Sequence, residues 1–299
     1  MNQVIWLRNE TKEFERRTPL TPRGAKELLN LGAKVVIEED ENRVFPIENY
    51  RDVGCEIQSP GSWKLQAPKQ AYILGLKELE DEKLPLSRNH IYFAHAFKGQ
   101  EEAKNVLSRF EQGGGKLFDL EFLLNESNQR VAAFGFWAGY VGSAISLDYF
   151  FHQELFEVPY PSLTHFKDKQ ALIDHIREKM EYTEVRPKGI VIGAKGRCGS
   201  GAQAVFDQLG LQCTGWDYEQ TQKGGPFKEI TEHEIFINCV LLTKKIPPFI
   251  NKEIINSHQK LKVIGDVSCD PNNPNNPIPL YDKITSWQDP FTKVEVNNS

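Results

Sequence analysis

Residues 191–202 read VIGAKGRCGSGA, with four glycines between an apolar run and an amphipathic one. The run before them, GIVIG, has the length and continuous apolarity of a buried strand, and the run after them, SGAQAVFDQLG, has helical spacing. Glycines at a strand-to-helix junction permit a tight turn and let backbone N–H groups approach a phosphate. The N-terminus of the helix then favours that anion through its unpaired donors and its dipole. The usual G-x-G-x-x-G spacing is altered here: Ala194 stands where the first glycine would be, and Arg197-Cys198 fills the gap before Gly199. Glycine-rich turns are common, so a second sign is needed. Asp217, in GWD, lies about 20 residues on at the end of the next apolar run, where a carboxylate binds ribose hydroxyls and repels a 2′-phosphate. Strand, loop, helix and acid together predict a dinucleotide site of the NAD type, built on Gly193, Gly196, Gly199 and Asp217.

Apolar runs alternate with helix-period segments along the rest of the chain, which predicts an α/β protein with mainly parallel sheets. QVIWLRN, AKVVIEE, AYILGLK, HIYFAHAF and KLFDLEFL read as strands of a first lobe. Thr21-Pro22 supplies a cap and a first-turn proline for a helix that stops at Gly32. CTGWD, EIFINCVLL and KLKVIGDVS read as strands of a second lobe. Between them, residues 130–153 (RVAAFGFWAGYVGSAISLDYFFHQ) read as a long helix joining two Rossmann-like lobes. The expected division is a substrate and catalytic lobe over residues 1–133 and an NAD-binding lobe over residues 134–299, with a connector at 154–187. The active site is expected in the cleft between them.

At 299 residues the chain is long enough for two cores, and 36 basic against 41 acidic residues give a net charge of −5. With no basic run, a nucleic-acid partner is not expected. No signal peptide or membrane-length apolar run is visible, so the expectation is a cytoplasmic protein. The five cysteines (Cys55, Cys198, Cys213, Cys239 and Cys269) are scattered and lack a CxxC pair, which fits free thiols and no metal site. A pairing of Cys198 with Cys239 stays open, should both lie at the ends of neighbouring strands.

Lys77, His95 and Lys98 stand at the ends of apolar runs in the first lobe, where ligands of open α/β sheets collect. A lysine there either emerges to solvent beside Glu78 and Glu80 or is tuned by burial toward general-base work. His95, alternating with Phe93 and Phe97, is either a core histidine or its acid–base partner. Arg16-Arg17 and Arg130 add guanidinium groups suited to carboxylates. Cations gathered in an acidic protein suggest a substrate with more than one carboxylate.

ETKEFERRTPLTP, GLKE, FAHAFKGQ, LFDLEFL, RVAAFGF, GAKGRCGSGA, GGPF, IFINCV and DVSCDPNNPNNPIPLYD together resemble, in order, the segments of the NAD-dependent, lysine-forming saccharopine dehydrogenases, relatives of alanine dehydrogenase. The resemblance spans nearly the whole chain. It implies reversible conversion of saccharopine, NAD⁺ and water to lysine, 2-oxoglutarate and NADH, the last step of the α-aminoadipate route to lysine. It gives Lys77 the role of general base and His95 that of acid–base group for water addition. Arg17, Lys77, Lys98, Gln100, Arg130, Phe134, Ser268, Cys269 and Asp270 fall on substrate-contacting positions, and Lys98 and Glu121 on charged positions that tune the pair. Gly193, Gly196, Arg197, Cys198, Gly199, Asp217, Thr221 and Val267 fall on cofactor positions. Gln129 replaces a second arginine beside Arg130, and the segment that follows VEVNNS in the family, returning to the first lobe, is expected to be absent. A monomer acting on small molecules is expected. Two alternatives stay open: an alanine-dehydrogenase-like or opine-type amino acid dehydrogenase, and an NAD-binding protein without turnover.

Overall fold

Strands with both faces covered organise each half of the chain. The computed structural model describes residues 3–80, 82–96, 103–242, 244–257, 260–269 and 271–295, and the chain divides into two compact units, Met1–Ala133 and Phe134–Ser299. The first contains β1 (Val4–Leu7), α1 (Pro22–Asn30), β2 (Lys34–Glu38), α2 (Ile47–Asp52), β3 (Glu56–Gln58), α3 (Trp63–Gln66), β4 (Tyr72–Leu74), β5 (Asn89–Tyr92), α4 (Ala103–Gly113) and β6 (Lys116–Asp119), followed by a 3-10 turn at Leu120–Phe122. Its strands pair in the order β3-β2-β1-β4-β5-β6, and every pairing is parallel. Val35 and Ile37 point into a core with Leu20, Ala25 and Tyr50, while Val36 joins Trp6, Trp63, Ile73 and Phe110 on the opposite face. This two-sided burial explains why β1, β2 and β4 read as continuous apolar runs rather than alternating ones.

The second unit contains α5 (Gly135–Leu155), α6 (Lys169–Glu181), β7 (Gly189–Ile192), α7 (Arg197–Leu209), β8 (Cys213–Trp216), α8 (Tyr218–Thr221), a 3-10 turn at Lys228–Glu232, β9 (Ile235–Asn238), α9 (Lys252–Ser257) and β10 (Val263–Asp266). Its parallel sheet has the order β10-β9-β7-β8. Val191, Ile235 and Ile237 pack under Ala144, Leu147, Phe151, Ile176 and Phe206, and Ile190, Ile192 and Phe236 face Phe227, Ile230 and Phe249. Among the described residues, no helix is long and apolar enough to cross a membrane.

Several boundaries differ from the sequence reading for local reasons. KLFDLEFL is strand only as far as Asp119, because the Asp119 carboxylate accepts from Glu121 N–H and turns the chain into the 3-10 turn. The long helix begins at Gly135 rather than Arg130, since Arg130 is tied in an antiparallel bridge to Leu124. Within 154–187, α5 runs on to Leu155, and the one helix expected there is α6, which Asp168 caps by accepting from Ala171 N–H at 2.9 Å.

His90, on β5, is fully buried among aromatic rings. Its ring centroid lies 5.0 Å from Trp63 and 5.4 Å from Phe110, both edge-on, and neither nitrogen has a hydrogen-bond partner among the described residues. Burial, with the charges of Arg8, Arg109 and Arg88 adding to it, pushes this imidazole down to about 3. The unfolded chain accepts a proton near pH 6.5. Between those values the unfolded state binds more protons than the folded one, so stability is full above pH 6.5 and declines as the pH falls through the window. Replacing His90 with phenylalanine keeps the aromatic packing and removes this liability. Denaturant unfolding at pH 7 and pH 4.5 is expected to show the wild type losing about 2–3 kcal/mol more than His90→Phe over that interval; equal losses would contradict the assignment.

Candidate active site

The strand order of the first unit reverses between β1 and β4, and in open α/β sheets ligands collect at such a switch point, outside the carboxyl ends of the strands. Lys77 lies three residues past β4, His95 three residues past β5, and Glu121 in the turn after β6. The fold therefore brings the three onto one edge. The two sites at β5 and β6 are tied together by Asp119, one oxygen of which accepts from both Ala94 N–H (3.2 Å) and Glu121 N–H (3.0 Å). His95 itself has φ of 51°, a left-handed conformation that is costly for a residue with a side chain and persists only where surroundings impose it. Phe93 stacks beside its ring at a centroid separation of 6.4 Å.

Charge at this edge is arranged in pairs. Glu121 is buried, and its Oε2 accepts from Arg130 Nη2 at 2.7 Å while standing 3.9 Å from His95 Nδ1. Arg17, half-exposed, holds Glu15 with Nε at 2.8 Å from one oxygen and Nη2 at 2.5 Å from the other. Burial alone would raise the Glu15 carboxyl, but the Arg17 hydrogen bonds and the charges of Arg17 and Lys77 hold it below the usual range. Lys77 is half-buried, and its charge also helps depress Glu78, whose own burial works the other way. Arg17 and Arg130 thus each already hold a carboxylate. Glu10, Glu15 and Asp119 were missed in the sequence, although the alternating charges of RNETKEFERR carry a local signal for Glu15. Lys98, Gln100 and Asp270 lie outside the described residues.

In the second unit the glycine loop leaves β7 and enters α7. Gly193 has φ of 89°, and a Cβ on Gly199 would stand only 2.1 Å from the Gly193 carbonyl oxygen, so the turn closes only with glycine at both places. Gly196 is the N-cap of α7 and, as a glycine, supplies no side-chain cap to that helix end. Asp217, just past β8, lies beside the loop: its Oδ2 accepts from Lys195 N–H at 2.8 Å and its Oδ1 from Tyr218 N–H at 2.8 Å, which lowers its carboxyl. An ionised carboxylate has about four acceptor positions, so two backbone bonds leave capacity for ribose hydroxyls. Thr221 is buried and donates to the Asp217 carbonyl at 3.0 Å. These groups fit a dinucleotide.

The ends of β9 and β10 adjoin. Asp266 Oδ1 accepts from Asn238 Nδ2 (2.9 Å) and Cys269 N–H (3.2 Å), and its Oδ2 accepts from the Tyr281 hydroxyl at 2.5 Å. Val267 and Cys269 line a cavity of about 260 Å³ with Gly142, Ser146 and Tyr281. Ser268 is half-buried between them, and Phe134 is exposed at the cap of α5. Cys198 and Cys239 carry free thiols. Cys239 follows a strand but Cys198 lies in the first turn of a helix, so the strand-end geometry that would have suggested a bond is not met. They are hydrogen-bonded instead. The bond from Cys239 lowers the Cys198 thiol and raises that of Cys239, in the direction that the N-terminus of α7 also favours.

The profile of the alanine dehydrogenase/PNT N-terminal domain matches residues 6–141. Saccharopine dehydrogenase [NAD(+), L-lysine-forming] of Candida albicans is 45% identical, the match covering 98% of this chain and 82% of the relative. The enzyme of that name from Schizosaccharomyces pombe is 44% identical over 97% of this chain and 82% of its own length. Among solved structures, an L-alanine dehydrogenase shares the fold at a TM-score of 0.60 and 14% identity, covering 88% of this chain and 73% of its own.

The thiol pair yields a test. Labelling by iodoacetamide at neutral pH, resolved by mass spectrometry, is expected to slow at Cys198 by roughly fivefold in Cys239→Ala, the worth of one hydrogen bond to the thiolate. Cys239→Ser, which keeps a donor, is expected to label at least as fast as the wild type. Equal rates in both variants would contradict the contact.

Proposed function

The chain belongs to the NAD-dependent, lysine-forming saccharopine dehydrogenase family, and we propose that it oxidises L-saccharopine, with water and NAD⁺, to L-lysine and 2-oxoglutarate, reversibly. What carries this reading, beyond family membership, is the gathering of Lys77, His95 and Glu121 at the carboxyl edge of one sheet beside two arginines that already bind carboxylates. NAD⁺, when bound, accepts the hydride from the carbon next to the secondary amine. Gly193, Gly196, Arg197, Cys198 and Gly199 would hold its pyrophosphate side, and Asp217 and Thr221 its ribose side, with Val267 nearby.

The remaining work falls to side chains. Lys77, as general base, takes the proton of the substrate's secondary amine as the hydride leaves. As water adds to the resulting imine, His95 takes its proton and Lys77 returns one to the nitrogen; His95 then gives its proton to the departing amine and takes the hydroxyl proton as the carbinolamine collapses, which leaves one proton for release to solvent. Glu121 accepts from Arg130 and stands 3.9 Å from His95 Nδ1, which places it to orient both. Saccharopine carries three carboxylates, and Arg17 and Arg130 suit two of them by sharing their forks between protein and substrate. Lys98, Gln100, Phe134, Ser268, Cys269 and Asp270 would complete the substrate contacts. Free thiols throughout the described cysteines support a reducing, cytoplasmic setting, and the chain is read as a monomer.

Lys77→Met is expected to slow NADH formation from saccharopine by roughly 10²–10⁴-fold, the worth of a general base, while NADH binding followed by fluorescence stays unchanged. Alanine and other simple amino acids are expected to give no NADH with the wild type. Undiminished turnover in Lys77→Met, or NADH from alanine in place of saccharopine, would overturn the proposal.

A further inference from the structure

The backbone around Lys77 is held more completely than a loop beyond a strand end ordinarily is. Leu76 and Lys77 donate their amide N–H groups to the two oxygens of Glu10, at 2.7 and 3.0 Å. The Lys77 carbonyl accepts from Arg8 Nη2, and the Leu76 carbonyl from Phe93 N–H at 3.2 Å. Arg8 and Glu10 form an ion pair of their own, Nη1 to Oε2 at 3.4 Å, with side chains only 3% and 4% exposed. Gly75 makes room for the arginine: a Cβ there would stand 2.3 Å from Arg8 Nε. The same guanidinium lies over the Tyr92 ring at 5.9 Å.

Such an arrangement is poor economy if stability were its only use. Removing two charges from water is expensive, and a well-packed apolar pair of similar volume is often as stable or more so. An apolar pair, however, could supply neither the two acceptors nor the donor that this dipeptide needs, and buried backbone groups require partners. We propose that Arg8 and Glu10 are positioning residues for Lys77. One ion pair grips the N–H and the C=O of the same residue, which fixes its Cα and the direction of its stem and leaves only the side-chain end to move. The inference rests on the reading of Lys77 as proton acceptor, a task that demands placement within about half an ångström.

The test uses the full chain. Because one charge left alone would be uncompensated, both are removed together in Arg8→Met/Glu10→Gln. With saccharopine and NAD⁺, this variant is expected to lose roughly 10–100-fold in kcat, as for a reacting group displaced by about an ångström. KM for saccharopine and the affinity for NADH are expected to stay within about threefold of the wild type, since only the transition state needs the placement. In a Lys77→Met background the same two substitutions should cost nothing further, because they act through the lysine. A wild-type kcat, or the full loss repeated on the Lys77→Met background, overturns the inference. Lys77→Met turning over at the wild-type rate overturns instead the reading of Lys77 as base, and this inference with it. A second measurement needs no turnover: hydrogen exchange at the Leu76 and Lys77 amides of the wild type is expected to be slowed by at least about 100-fold. Exchange there at the rate of an open loop would also overturn the inference.

Discussion

A parallel strand that leaves its sheet carries backbone donors and acceptors past the last rung of the ladder, and those groups need partners. In the first unit, buried carboxylates answer that need. Glu10 takes the amides beyond β4, and Asp119 takes those beyond β5 and β6. Glu38, fully buried at the end of β2, accepts from Trp6 Nε1, Trp63 N–H, Gly61 N–H and Asn9 N–H. The positions of Lys77, His95 and Glu121 follow from this. Each stands within a residue or two of a backbone amide held by one of these acids, so the placement that the proposed chemistry uses is a by-product of satisfying the sheet edge.

The edge of the second unit meets the same need differently. There the N-terminus of α7 is capped by Gly196, which supplies no side-chain acceptor of its own, a state suited to an anion. Asp217 is bound to the loop by backbone bonds that keep it ionised. One edge thus offers proton donors and acceptors within paired charges, and the other offers backbone donors beside the Asp217 carboxylate. That division matches the separate demands of proton transfer and dinucleotide binding.

Much of this was legible in the chain itself. Continuous apolar runs marked β1, β2 and β7 because strands buried on both faces leave no alternation to confuse. The glycine loop and Asp217 were legible because turn chemistry is local and the acid follows at a set distance. Edge strand β3 was not, since three residues of mixed burial carry little periodic signal. Lys77 and His95 announced themselves as titratable groups ending apolar runs. Glu10 did not: its partners lie 66 and 67 residues away, and an acid that serves the backbone looks in sequence like any surface glutamate. The bonding of Arg17 to Glu15 was likewise hidden among neighbouring charges, where several pairings were equally plausible until the loop after β1 was folded.

If the chain removes hydride from the glutaryl carbon of a secondary amine, isotope placed there must follow the hydride. The purified chain is supplied with NAD⁺ and saccharopine carrying deuterium at the α-carbon of its glutaryl half. Deuterium is expected in the NADH formed, with lysine and 2-oxoglutarate appearing in equal amounts and neither labelled at the broken bond. Deuterium retained in an organic acid product, or NADH formed without label, would contradict that removal.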